Sequence, residues 1–178
     1  ETCVSMAPNL SSGLVVSHSA NVVRSLVKSE DARVNVTYVA VVCEDRALQK
    51  FMPHVIIGSK ARMTNCQFRY LQSLPERGVH IWRNERKAWN NSFLMVRILG
   101  IIQKALSECK DVQPVLVLDA ANCHIDVSVM RKAQHAGIWL VYIPSQLTFL
   151  LQPLDTHGFA SFKAWLKQRC KELQSKSE

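Results

Sequence analysis

The chain has 178 residues, 48% apolar and 20% charged, which suits one domain spanning residues 1–178 with a sizeable core and is too little for two. No apolar run reaches the roughly 18 residues of a membrane span; the longest, Phe93 to Leu106, is broken by Arg97 and Lys104, so no membrane partner is expected. Lys plus Arg number 22 against 14 Asp plus Glu, and the formal charge of +8 favours a polyanionic partner such as nucleic acid, with a merely basic surface as the alternative.

The chain opens abruptly on Glu1-Thr2 with no basic-then-apolar leader, and so reads as a cut fragment. Thr2 to Met6 is expected as an edge or truncated strand and Leu14 to Val16 as a second short one, separated by Pro8-Asn9 and the Ser11-Ser12-Gly13 turn cluster. Ser17 to Ala32 fits neither period cleanly. Val34 to Cys43 has the highest β-branched density in the chain and predicts a buried strand. Glu44-Asp45-Arg46 reads as a turn and His54 to Gly58 as the next strand, so the first part of the chain is expected to form an antiparallel meander.

Met63 to Leu74 has weak helical character, and Pro75 to Gly78 reads as a loop. Ala88 to Leu106 carries apolar residues at 89, 93, 94, 96, 98, 101, 102 and 105, close to the 3.6-residue period of a helix. Val115 to Leu118 is a continuous apolar run of the kind found in parallel strands covered on both faces. A helix over Val127 to His135, a stop at Gly137 and a strand over Ile138 to Tyr142 complete a right-handed crossover with parallel pairing. Thr156 to Leu173 is the last helix, with Phe159, Phe162, Trp165, Leu166 and Leu173 inward and Lys163, Lys167 and Lys171 along another face. This order is that of an α/β, ribonuclease H-like mixed sheet flanked by helices.

Two carboxylates stand out. Asp119 leaves the C-terminal end of an apolar strand, where open α/β sheets place ligand-binding groups; its local pattern fits a turn residue equally well. Asp155 sits at a helix start, where plain N-capping is the commoner role. Together they suggest a divalent-metal site acting on phosphodiesters, because such sites gather hard oxygen ligands from different elements. His124 could touch the scissile phosphate, orient Asp119 or make a structural hydrogen bond. Asp126 fits an N-cap, and Glu44 and Asp45 fit a turn. Lys163, Lys167 and Lys171 could lie along DNA phosphates or form a solvated face. Trp82, Trp89 and Trp165 read as core residues rather than base-stacking platforms. The six cysteines are widely spaced, with no C-x-x-C pair, so free thiols are expected and a zinc site is not.

These residues resemble the DDE-type endonuclease domain of pogo-like transposases, within the mariner superfamily. Asp119-x-x-x-x-His124 is followed by Ile143-Pro144-x-x-Leu147-Thr148-x-Leu150-Leu151-Gln152-Pro153-Leu154-Asp155, then Gly158, Ala160 and Lys163. Glu1-Thr2 is similar to the end of the family's first-strand motif, Val34 to Gly58 to its next two strands, and Trp82 to Leu106 to its Trp-containing helix. The resemblance implies a ribonuclease H-like fold and a metal-dependent DNA endonuclease and strand transferase in the nucleus. It implies two Mg²⁺ or Mn²⁺ ions, no small-molecule cofactor, and DNA as partner, with a homodimer assembled on it. Asp119 would be the second metal-binding carboxylate and Asp155 the third. The first would immediately precede Glu1, which is itself a supporting candidate only, since side chains alternate along a strand. A domesticated, inactive domain that binds nucleic acid or protein is the alternative.

Overall fold

The computed structural model describes residues 2–5, 35–73, 78–107, 109, 112–152, 154 and 158–175. The strand expected over Leu14 to Val16 lies outside them. Strands β1 (Thr2–Ser5), β2 (Asn35–Ala40) and β3 (His54–Ser59) pair antiparallel in chain order, as the sequence led one to expect. A fourth strand, β4 (Val79–Asn84), runs parallel to β3 from His54↔Val79 to Ser59↔Asn84. That strand was unexpected. Only Val79, His80 and Ile81 alternate in it, and what makes it a strand is an unbroken register against β3. Trp82 is consequently a strand residue, and the helix expected from Ala88 begins at Ser92.

Between these strands lie two helices set by local capping. Asp45 caps the short α1 (Arg46–Gln49) by accepting from Ala47 N at 2.7 Å, where the sequence had suggested only a turn. Helix α2 (Asn65–Ser73) opens with a reciprocal cap: Gln67 N donates to Thr64 Oγ1 at 3.2 Å, and Thr64 N donates to Gln67 Oε1 at 2.9 Å.

Helix α3 (Ser92–Ala105) organises the core. Asn91 caps it, its side chain accepting from Leu94 N at 2.9 Å, and Leu94, Met95, Ile98, Leu99 and Ile102 form one buried stripe at helical spacing. That stripe packs on Val39, Val55, Ile57 and Trp82 of the four-stranded sheet. It also meets α4 (Val127–His135) through Val129 and Ala133. Asp126 caps α4, accepting from Ser128 N at 2.8 Å. The helix ends in a Schellman motif: Gly137 N donates to Gln134 O at 3.1 Å, and Ile138 N to Ala133 O at 2.9 Å. Gly137 takes φ +67, a left-handed conformation that suits glycine.

Strands β5 (Val115–Asp119) and β6 (Trp139–Ile143) flank α4 and pair parallel, as a strand–helix–strand unit requires. Leu116, Leu118 and Leu140 turn towards the core that α3 and α4 share with the four-stranded sheet. Beyond β6 come a 3₁₀ turn over Ser145–Leu147, the short α5 (Thr148–Leu151) and the long α6 (Phe159–Ser175). On α6, Phe162 and Leu166 join Tyr38, Ile56, Phe68 and Leu71 around Val36 and Met63, a second cluster distinct from the one built on α3. The result is α/β, with antiparallel and parallel strands flanked by helices.

Three expectations need correction. Val115 and Val117 are each 51% exposed, so β5 is covered on one face and open on the other among the described residues. Trp82 is buried, but Trp89 and Trp165 are 65% and 60% exposed. Trp165 lies on α6 beside Phe162, at 6.4 Å between ring centroids, yet outside the buried stripe. Apolar character placed these rings in the core; the helix face and the loop they occupy decide otherwise.

Candidate active site

Asp119 is the last residue of β5, paired in register with Ile143 of β6. Ala120 N donates to Ile143 O at 3.1 Å, so the ladder holds the backbone one residue past the carboxylate before the chain turns. Ala121 N then donates to Asp119 Oδ1 at 3.2 Å, and His124 N to Ala121 O at 2.8 Å. This turn folds the imidazole back onto the strand end. His124 Nδ1 lies 2.5 Å from Asp119 Oδ1 and 3.2 Å from Asp119 O. Tyr142, on the neighbouring strand, donates its hydroxyl to His124 O at 3.0 Å. The five-residue spacing is therefore a geometric unit, with Asp119 and His124 locked to β5 and β6 together.

His124 is 5% exposed. Burial alone would lower its pKa, but hydrogen bonds to Asp119 and Cys123 outweigh it and raise the imidazole to about 10. In turn, the hydrogen bond from His124 holds Asp119 below the ordinary carboxylate range against the effect of partial burial. The pair is an ion pair at neutral pH. Among the described residues, both hydrogen bonds to the carboxylate fall on Oδ1 and none on Oδ2.

A cavity of about 510 Å³ runs along β5 between it and the end of β2, with Met95, Ile98 and Ile102 of α3 on its wall. Asp119 and His124 line it. So do Leu151, Gln152 and Leu154. Asp155 itself, like Glu1, lies outside the described residues. Glu44 also lines this cavity. The sequence had marked it as a turn residue, although a carboxylate just past a buried strand is the same kind of signal that singled out Asp119. Tyr142 carried no such signal, because its role depends on which strand lies beside β5. Asp45 and Asp126 are caps, as their flanking residues suggested for Asp126.

Lys163 and Lys167 are exposed on α6, and no described side chain of α6 lines the Asp119 cavity; the side chain of Lys171 is outside the described set. Cys43, Cys66, Cys109 and Cys123 are free thiols. Among the described residues no three His, Cys, Asp or Glu side chains converge as a metal site, and no helix is long and apolar enough to cross a membrane.

The profile of the DDE superfamily endonucleases matches residues 34–177, most of the chain and all of the segment that builds this cavity. The chain belongs to the DDE endonuclease superfamily. No curated protein and no solved structure matches it. Membership in the DDE superfamily implies a DNA substrate and is typically associated with divalent metals. As one ligand of such a metal, Asp119 fits: it is a hard oxygen donor, ionised at neutral pH and fixed through Oδ1, with Oδ2 not hydrogen-bonded among the described residues.

Proposed function

We propose that this DDE endonuclease domain derives from a transposase and cuts DNA, joining the freed 3′ end to a target strand. The observation that carries the reading is the Asp119 carboxylate, held at the end of β5 by His124 and opening on the cavity that Gln152 and Leu154 also line. Asp119, through Oδ2, and Asp155 would hold two Mg²⁺ or Mn²⁺ ions, which when bound polarise the phosphodiester and stabilise the charge that develops on it. His124 positions Asp119 and keeps it ionised; it is a positioning residue. Gln152 and Leu154, which neighbour Asp155 in sequence, line the cavity that Asp119 opens on. The exposed Lys163 and Lys167, with Lys171 continuing their spacing, would take phosphates away from the cleavage site. A ribonuclease H-like arrangement agrees with the element order and with helices on both faces of the four-stranded sheet. Work in the nucleus as a homodimer on DNA follows from the same reading.

The test is cleavage of supercoiled plasmid in Mn²⁺, with DNA binding measured in parallel. Nicking that is lost in both Asp119→Ala and Asp155→Ala, while binding persists, supports the proposal. Nicking by the wild type that survives both substitutions refutes the site. Salt-dependent binding with no nicking in any form would favour a domesticated binding domain.

A further inference from the structure

The exposed indole of Trp89 sits in a basic loop joining β4 to α3. Residues 84–91 read Asn-Glu-Arg-Lys-Ala-Trp-Asn-Asn, and the single acid among them, Glu85, is paired with Lys60. Arg86 and Lys87 are both exposed, and Lys87 Nζ stands 4.5 Å from the centroid of the Trp89 ring. Phe93, in the first turn of α3, is 69% exposed.

This loop is braced rather than loose. Asn84 Nδ2 donates to Trp89 O at 2.5 Å, Asn91 Nδ2 donates to Asn84 Oδ1 at 3.4 Å, and Asn91 caps α3. An aromatic ring that is open to solvent on a fixed backbone loses little freedom when it meets a ligand. Leaving two large apolar rings exposed amid cations suits a planar, anionic partner better than a protein core.

The loop also lies at the right end of the molecule. Val112 and Pro114 share a small cavity with Gln103 and Leu106, so β5 starts beside the C-terminal end of α3 and runs back along it. Helix α3 has 14 residues, about 20 Å at the usual rise. Strand β5 covers some 16 Å of that length. Asp119 therefore finishes toward the end where α3 begins, and Met95, in the second turn of the helix, lines its cavity.

We propose that the β4–α3 loop is a stacking platform for unpaired bases of DNA, with Trp89 and Phe93 taking base faces and Arg86 and Lys87 the adjoining phosphates. Flat rings accept bases only once these have left the duplex stack, so the surface selects unpaired strand rather than intact duplex. Lys87 over the indole places a cation next to a stacked base, where a phosphate follows. This inference rests on the reading of the domain as acting on DNA.

The experiment compares binding, by fluorescence anisotropy at fixed salt and without divalent ions, of a short blunt duplex and the same duplex carrying an unpaired tail. The wild type is expected to prefer the tailed duplex. Trp89→Ala should lose that preference, weakening the tailed complex by at least about fivefold, the worth of one stacked base, with blunt binding unchanged. Trp89→Phe, which keeps a ring face, should retain it. A preference that survives in Trp89→Ala overturns the platform, as does equal loss in both variants. Wild type that binds neither probe overturns the DNA reading itself, and the platform with it.

Discussion

His124 Nδ1 and Asp119 Oδ1 are 2.5 Å apart, and this ion pair ties a buried cation to the carboxylate at the end of β5. His124 is raised to about 10 and Asp119 is lowered, so the pair persists across neutral pH. The sign of its contribution differs on the two sides. The raised histidine stabilises fully below its unfolded pKa of about 6.5, less as pH climbs above it, and not at all beyond its folded value. The lowered carboxylate stabilises above about 3.9 and loses its contribution as pH falls below that. Urea unfolding of the metal-free protein should therefore show a stability decline above about pH 6.5 that is reduced in His124→Ala, and an NMR titration should find His124 protonated at neutral pH. A His124 resonance that titrates near 6.5 would falsify the ion pair.

His124→Ala itself should cost about 2 kcal/mol at neutral pH, since it removes the partner of a half-buried charge that can still reach water. Chemical denaturation measures this. A change under about 0.5 kcal/mol would mean that Asp119 rehydrates without loss.

Asp119→Asn should retain a hydrogen bond to the imidazole but remove the charge. Mn²⁺ binding, followed by paramagnetic broadening of Ala121 and Tyr142 resonances, should weaken by roughly tenfold or more, because a neutral amide is a poor ligand for a hard cation. Equal broadening in wild type and variant would place the ion elsewhere.

Asn91→Ala removes the cap of the helix that connects the two sheets. A loss of about 1 kcal/mol is expected. Asn91 also reaches back to Asn84, so the same variant should raise hydrogen exchange at residues 89–94, whereas a capping loss alone would be confined to the first turn of α3.

Gly137→Ala would force a methyl-bearing residue to φ +67 at the end of α4, and among the described residues beyond its chain neighbours nothing lies within 4 Å of the added carbon. The cost is purely conformational, about 1 kcal/mol. Ile98→Ala, at 1% exposure in the packed stripe of α3, should cost about 2–5 kcal/mol, several times more. Thermal melts that rank the two in the reverse order would contradict the core assigned to α3.

The local features were legible because short-range physics sets them. The helix over Val127 to His135 matched its sequence boundaries, since Asp126 caps it and Gly137 ends it within a few residues. The strand delivering Asp119 and its parallel partner could likewise be read from apolar runs. Strand β4 could not, because its pairing partner lies some 25 residues upstream, across α2, and its own alternation is poor. Nor could the exposure of Trp89, which depends on where the β4–α3 loop emerges rather than on the indole.

By itself, then, the sequence determined the superfamily, the helix that Asp126 caps and the crossover unit, and it marked Asp119 and Asp155 as candidates. All of these are encoded in residues near one another along the chain. Only the tertiary structure decided that His124 folds back onto Asp119, that Tyr142 braces it from β6 and that Gln152 and Leu154 border the same cavity. It also decided that Trp89 faces solvent. Each of these depends on which elements pack side by side, and that is settled by a hydrophobic core, centred on α3, whose members are scattered from Val39 to Ile138.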